Sequence, residues 1–298
     1  MSCPSTGLLD NPEFIRLVHE RAVNGRVPVS GGMDLTGGCN LRCVHCYLGC
    51  GRGGFGDRRD MPAEVVIRIL DQVAAAGCLF FLMTGGEPLL RRDFGRIYVH
   101  AKRLGLLPTI FTNGTRLDDE MVRLFRDWPP WMVEVTIYGA TAGTHDAITG
   151  VPGSFALTMA GVRRLQTHGI RVSLKTMLMK PNEAEFDAMV DLARGLGLDF
   201  RMDAAIFPRL DGDRSPLLLR VSPSVAAQKE FCIPGRHEKW MEFLRRMGEP
   251  APGRVLYECS AGQSYFHITA EGLLRPCLMT TDLGYDLTKG SFEEGWAR

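Results

Sequence analysis

The sequence carries no excess of charge of either sign. Its 35 lysines and arginines stand against 34 aspartates and glutamates, a net of +1, so it lacks the basic field that draws proteins to nucleic acid. No apolar run approaches a membrane span, and the first thirty residues hold no hydrophobic stretch of the secretory kind. A cytoplasmic protein that binds neither nucleic acid nor membrane is expected. Low-complexity tracts are missing. The nine cysteines are an odd number, which does not suit a complete disulfide framework, and their clustering points to metal instead. The pairs Arg58–Arg59, Arg91–Arg92 and Arg245–Arg246 read as solvated faces.

What is present suits a globular enzyme. A chain of 298 residues with 45% apolar content can bury one large core and carry a small appendage. From residue 33 to 203, short apolar runs alternate with amphipathic windows. Strands are expected at 33–35, 79–84, 108–112, 132–138, 171–177 and 199–203. Helices are expected at 61–76, 93–104, 118–125, 155–168 and 183–196. The run 79–84 is continuously apolar, as in a strand buried on both faces. Ser154 reads as an N-cap, and Cys78 as a packing residue. Repeated βαβ units imply an α/β fold, a partial (βα)6 TIM-type barrel of parallel strands whose chemistry sits at the C-terminal strand ends. After about residue 205 prolines and turn formers take over. The expected division is an N-terminal extension (1–30), a core (31–205), a linker (206–229) and a small irregular C-terminal domain with a β-hairpin (230–298).

Cys39, Cys43 and Cys46 follow the first strand with the spacing C-x3-C-x2-C. Thiolates select soft metals, zinc or iron–sulfur clusters. Three of them leave one position of a cubane free for a small molecule. Zinc is the alternative, since Cys50 and His45 supply further donors for a closed site. The turn Gly85-Gly86-Glu87-Pro88 after the second strand is not explained by zinc. The histidines His100, His145, His168 and His237 are candidate acids or bases, though surface or core roles are commoner.

The cysteine run with Tyr47 after it, together with GGEP, resembles the radical S-adenosylmethionine (SAM) superfamily. That resemblance implies a [4Fe–4S] cluster on Cys39, Cys43 and Cys46 that reductively cleaves SAM to a 5′-deoxyadenosyl radical. It implies SAM contacts at Thr84, Gly85, Gly86 and Glu87, with Glu87 as an acceptor for the methionyl amine. Tyr47, Asn113, Thr136 and Lys175 are further cofactor-binding candidates. Tyr138 stands where the family often has an Asp, a departure that removes a ribose ligand. Near the C-terminus, Cys259 and Cys277 flank a hairpin turn at Gly272, a pattern similar to the SPASM or twitch domains that hold an auxiliary [4Fe–4S] or [2Fe–2S] cluster. Cys232 is the only further cysteine in reach of that pair, and the expectation is that the domain is truncated. The implied substrate is a ribosomally made peptide or protein side chain. A small-molecule precursor in cofactor or modified-tetrapyrrole synthesis is the other enzymatic reading, and a non-catalytic metal module the reading from another class. Flavodoxin or ferredoxin is the implied electron donor.

Overall fold

The computed structural model describes residues 17, 20–49, 60–247 and 259–298. Six parallel strands form its centre: β1 (Ser30–Asp34), β2 (Phe80–Thr84), β3 (Leu107–Thr112), β4 (Met132–Thr136), β5 (Val172–Met177) and β6 (Asp199–Asp203). Helices α1 (Ala63–Ala75), α2 (Phe94–Arg103), α3 (Asp119–Asp127), α4 (Ala142–Thr149), α5 (Ser154–Thr167) and α6 (Phe186–Gly195) make the crossovers. Alternate strand residues such as Met33, Phe81, Met83, Ile110, Val133, Val135 and Leu174 are buried beneath these helices. The other face carries Asp34, Thr84, Phe111, Glu134, Thr136, Lys175 and Arg201. No helix among the described residues is long and apolar enough to cross a membrane.

The expected strands and helices are all present within a few residues, with four differences. First, β2 is not buried on both faces: Phe80 is 42% exposed, because it lies at the strand's outer end and packs edge-on to Trp131 at 5.9 Å. Second, two helices join β4 to β5. The additional one, α4, has Gly143 and two threonines in place of an apolar stripe, and Thr141 caps it by accepting from the Thr144 N–H. Third, Gly153 and not Ser154 is the N-cap of α5. Asp146 of α4 does the capping, accepting from the N–H groups of Gly153 at 2.6 Å and Phe155 at 2.8 Å. Fourth, Arg91 is not solvated. Its side chain is 6% exposed and donates to the carbonyls of Leu35 and Met61, each at 2.6 Å, while pairing with Asp93. It thereby ties the exit of β1 to the start of α1. Residues 206–229, expected as linker, include a 3-10 turn (Ser215–Leu219) and most of α7 (Pro223–Cys232), which α8 (Arg236–Met247) follows.

The C-terminal hairpin continues the central sheet. Its first strand, β7 (Tyr265–Ile268), pairs parallel with β1, and β8 (Leu273–Arg275) and β9 (Tyr285–Asp286) follow antiparallel. The nine strands lie in the order β6-β5-β4-β3-β2-β1-β7-β8-β9. Gly31 makes this junction, because a Cβ there would lie 2.2 Å from the Phe266 ring. The last helix, α9 (Phe292–Ala297), brings Phe292 to 4.8 Å from Phe266 and its N–H to Gln72 of α1 at 2.7 Å. Hairpin and barrel thus share one core.

Candidate active site

The loop that leaves β1 runs alongside the loop that leaves β2. Leu35 donates to Thr84 O, Gly86 to Thr36 O and Glu87 to Gly38 O, each at 2.8 Å. The two glycines permit this approach. A Cβ on Gly85 would lie 2.4 Å from Thr36 O, and one on Gly86 would lie 2.1 Å from Gly38 O. Gly85 also has a φ of +131°, open to glycine and few others. Farther on, Arg42 and Val44 donate to the last carbonyls of α4, Thr149 O at 2.7 Å and Ile148 O at 3.0 Å. The cysteine loop is therefore pinned from both sides.

Cys39, Cys43 and Cys46 are all half-buried and in no disulfide. Burial pushes Cys39 up to about 12, against the pull of the Leu41 N–H, and pushes Cys43 well above its ordinary value, with the neighbouring thiols adding to both. As thiolates the three would repel one another, and a bound cation that takes their protons' place relieves that cost. No three His, Cys, Asp or Glu side chains among the described residues close on a single metal ion. A cubane makes no such demand, since each thiolate binds a different iron, so the donor set fits a cluster. Groups already aimed at the sulfurs are the Leu41 N–H, 3.4 Å from Cys39 Sγ, and the Tyr138 hydroxyl, which hydrogen-bonds Cys43. His45 packs edge-on against Tyr138 at 4.8 Å, and burial lowers it to about 4, so it is neutral. Cys50, the fourth thiol of the zinc alternative, lies outside the described residues, as does Cys3.

Glu87 is fully buried. Its Oε1 accepts from Thr112 Oγ1 at 2.8 Å and Leu89 N–H at 3.1 Å, and its Oε2 accepts from Asn113 N–H at 2.7 Å. The carboxylate thus joins the β2 and β3 loops. Burial raises it to about 7 against the pull of those donors. Asn113 continues the link, donating to Asn40 Oδ1 at 3.0 Å and lying 3.9 Å from Cys39 Sγ. Asn40 and Thr115, joined at 2.8 Å, belong to this network and were not singled out from the sequence. The N-G turn at 113–114 was their only local signal.

The model of the radical SAM superfamily matches residues 33–193, more than half of the chain. The chain belongs to the radical SAM superfamily. Members use a [4Fe–4S] cluster and SAM. The chain is 29% identical over 288 residues to the AdoMet-dependent heme synthase of Methanosarcina barkeri, covering 88% of this chain and 80% of that protein. It is 28% identical over 283 residues to the sporulation killing factor maturation protein SkfB of Bacillus subtilis, covering 91% of this chain and 64% of SkfB. Among solved structures it resembles Streptococcus suis SuiB bound to its precursor peptide SuiA, with a TM-score of 0.75, 16% identity, and coverage of 100% and 73%. At that identity the likeness is one of fold.

The remaining candidates in this radical SAM chain are spread along the strand ends. Thr136 closes β4, in register with Lys175 of β5. The Lys175 amine sits 2.8 Å from the centroid of the Phe111 ring, and burial depresses its pKa. It engages the Phe111 aromatic face. The Tyr47 carbonyl accepts from Leu210 N–H at 2.9 Å. Among the histidines, His100 pairs with Asp71 on the surface, His168 bonds Arg164 O, and His145 receives the Tyr138 N–H. At the hairpin, Cys259 is exposed and Cys277 half-buried, with Cys232 exposed at the end of α7.

Proposed function

We propose that this radical SAM enzyme abstracts hydrogen from a ribosomally made peptide or protein side chain. The carrying observation is the trio of half-buried thiols at the C-terminal end of β1, locked to the Gly85–Gly86 backbone. In this reading Cys39, Cys43 and Cys46 hold the [4Fe–4S] cluster, and the backbone of Thr84–Gly86 lines the amine of SAM. When bound, the cluster and SAM supply the 5′-deoxyadenosyl radical. The chain's own groups orient and shield: Glu87 and Asn113 hold the two loops in register, Tyr47 and Thr136 stand toward the nucleoside, and Lys175, seated on the Phe111 ring, lines the lumen beside them. Cys259 and Cys277 hold an auxiliary cluster in the 230–298 segment, with Cys232 the weaker candidate, and a flavodoxin or ferredoxin supplies the electron. The likeness to SkfB over 91% of the chain supports a peptide substrate.

One observation favours a second reading. The heme synthase relative is matched over 80% of its length, which supports a modified tetrapyrrole as substrate. Anaerobic reconstitution with iron and sulfide, followed by SAM and a strong reductant, should release 5′-deoxyadenosine, and Cys43→Ala should abolish it while leaving the fold intact. Precursor peptides should raise the yield in the first reading and an iron porphyrin in the second. Bound zinc without a cluster would sink both.

A further inference from the structure

Tyr138 stands two residues beyond the end of β4 and is buried, with its hydroxyl on the Cys43 sulfur. Three sets of contacts fix it there. Its backbone N–H donates to His145 Nδ1 of α4 at 3.2 Å. Its ring meets His45 edge-on at 4.8 Å. Ile148, Met179 and Ile206 join the ring in a small apolar cluster of their own, against which Cys43 and Val44 pack. The same helix holds the other partner, because the Val44 N–H donates to Ile148 O at 3.0 Å. Both ends of the hydrogen bond are therefore fastened to α4.

The direction of that bond follows from the chemistry of the donor set. A thiolate that binds iron carries no proton, so in the loaded enzyme the phenol O–H donates and the Cys43 sulfur accepts. An added electron makes the sulfurs more negative, and a donated hydrogen bond then stabilises the reduced form more than the oxidised one. Burial works against reduction at the same place, since it disfavours added charge. The Leu41 N–H, 3.4 Å from Cys39 Sγ, acts in the same sense, but it belongs to the backbone and no side-chain change removes it. We propose that Tyr138 tunes the reduction potential of a cluster on Cys39, Cys43 and Cys46, raising it through the hydrogen bond to Cys43 and so widening the range of one-electron donors that can reduce it. The inference rests on the cluster reading above.

The test is a redox titration of the reconstituted full chain without SAM, poised with titanium(III) citrate and viologen mediators and read by electron paramagnetic resonance of the reduced cluster. Tyr138→Phe keeps the ring against His45 and removes only the hydroxyl. Its midpoint potential should fall by about 59 mV, a tenfold change in a one-electron equilibrium, at unchanged iron per chain. Tyr98→Phe is the control. It deletes another buried hydroxyl, bonded to Trp128 O at 2.6 Å in the main core, and should leave the potential where it was. 3-Fluorotyrosine placed at 138 makes the phenol a stronger donor and should move the potential upward, which decides the matter if Tyr138→Phe loads no iron. An unmoved potential in either Tyr138 variant that carries a cluster, or an equal fall in Tyr98→Phe, overturns the proposal. Zinc in place of iron in the wild type, seen by metal analysis before any potential is read, would instead sink the cluster reading itself.

Discussion

Gly86→Ala tests what the Gly-Gly turn is for. Gly86 has no positive φ, so the substitution adds a methyl without backbone strain and asks only about space. The added Cβ would lie 2.1 Å from Gly38 O and 3.0 Å from Gly37 O. These are backbone atoms that cannot rotate away, so the two loops must part. Overfilling a packed site costs about 1–3 kcal/mol. Two inter-loop hydrogen bonds, Gly86 N to Thr36 O and Glu87 N to Gly38 O, would stretch as well, at about 0.5–1.5 kcal/mol each. The expected loss is about 2–6 kcal/mol in urea unfolding of the cluster-free protein.

The same displacement reaches chemistry, because Cys39 is the next residue after Gly38. Iron bound per chain after reconstitution should fall in Gly86→Ala. Gly195→Ala is the control. It sits in the last turn of α6 with nothing within 4 Å of its added Cβ, and should be neutral or stabilising by up to about 1 kcal/mol. A Gly86→Ala protein that unfolds within about 0.5 kcal/mol of wild type and loads full iron would refute the claim that the glycines serve backbone packing.

Three further outcomes are expected. Arg91→Met leaves the Leu35 and Met61 carbonyls without their charged donor and should cost about 2–4 kcal/mol by denaturant unfolding; a loss under about 0.5 would mean the clamp is idle. Glu87 is raised by burial from 4.5 to about 7, so across that window the folded chain holds a proton that the unfolded chain has released. Its contribution is present below pH 4.5 and lost as pH rises toward 7, a fall of about 3 kcal/mol that Glu87→Gln should flatten in urea midpoints taken across pH 4–8. Phe266→Ala removes the ring seated on Gly31 and should cost about 3–5 kcal/mol; hydrogen exchange should show β7 losing protection with β1, and protection lost from β7 alone would mean that the hairpin is a separate unit.

The barrel was legible because buried parallel strands and amphipathic crossovers each leave a local pattern, and the cysteine spacing is itself the chemistry. Contacts between distant segments leave no such pattern. The parallel pairing of Ser30 with Tyr265 joins residues far apart in sequence, and only the paired glycines inside β1 hinted that something approaches there closely. Arg91 was misjudged for a related reason: a charged residue in a turn reads as exposed until the carbonyls that surround it are known. α4 was missed because Gly143 and its threonines interrupt the apolar period, yet its last carbonyls hold the cysteine loop.

These placements bear on how the site stays in register. The cysteine loop is fastened to the β2 loop by backbone bonds, to α4 by Thr149 O and Ile148 O, and at its root to α1 through Arg91. Three different elements thus fix one short segment before any ligand arrives, which is how preorganisation lowers the entropy cost of closing on a cofactor. The hairpin reaches the same segment from the opposite side, with Asp34 on the last rung of β1 and His267 beside it. The cysteine loop and this buried carboxylate–imidazole pair are thus carried by the same strand. Disturbing Gly85–Gly86, where the cysteine loop meets the β2 loop, should therefore remove iron and turnover together.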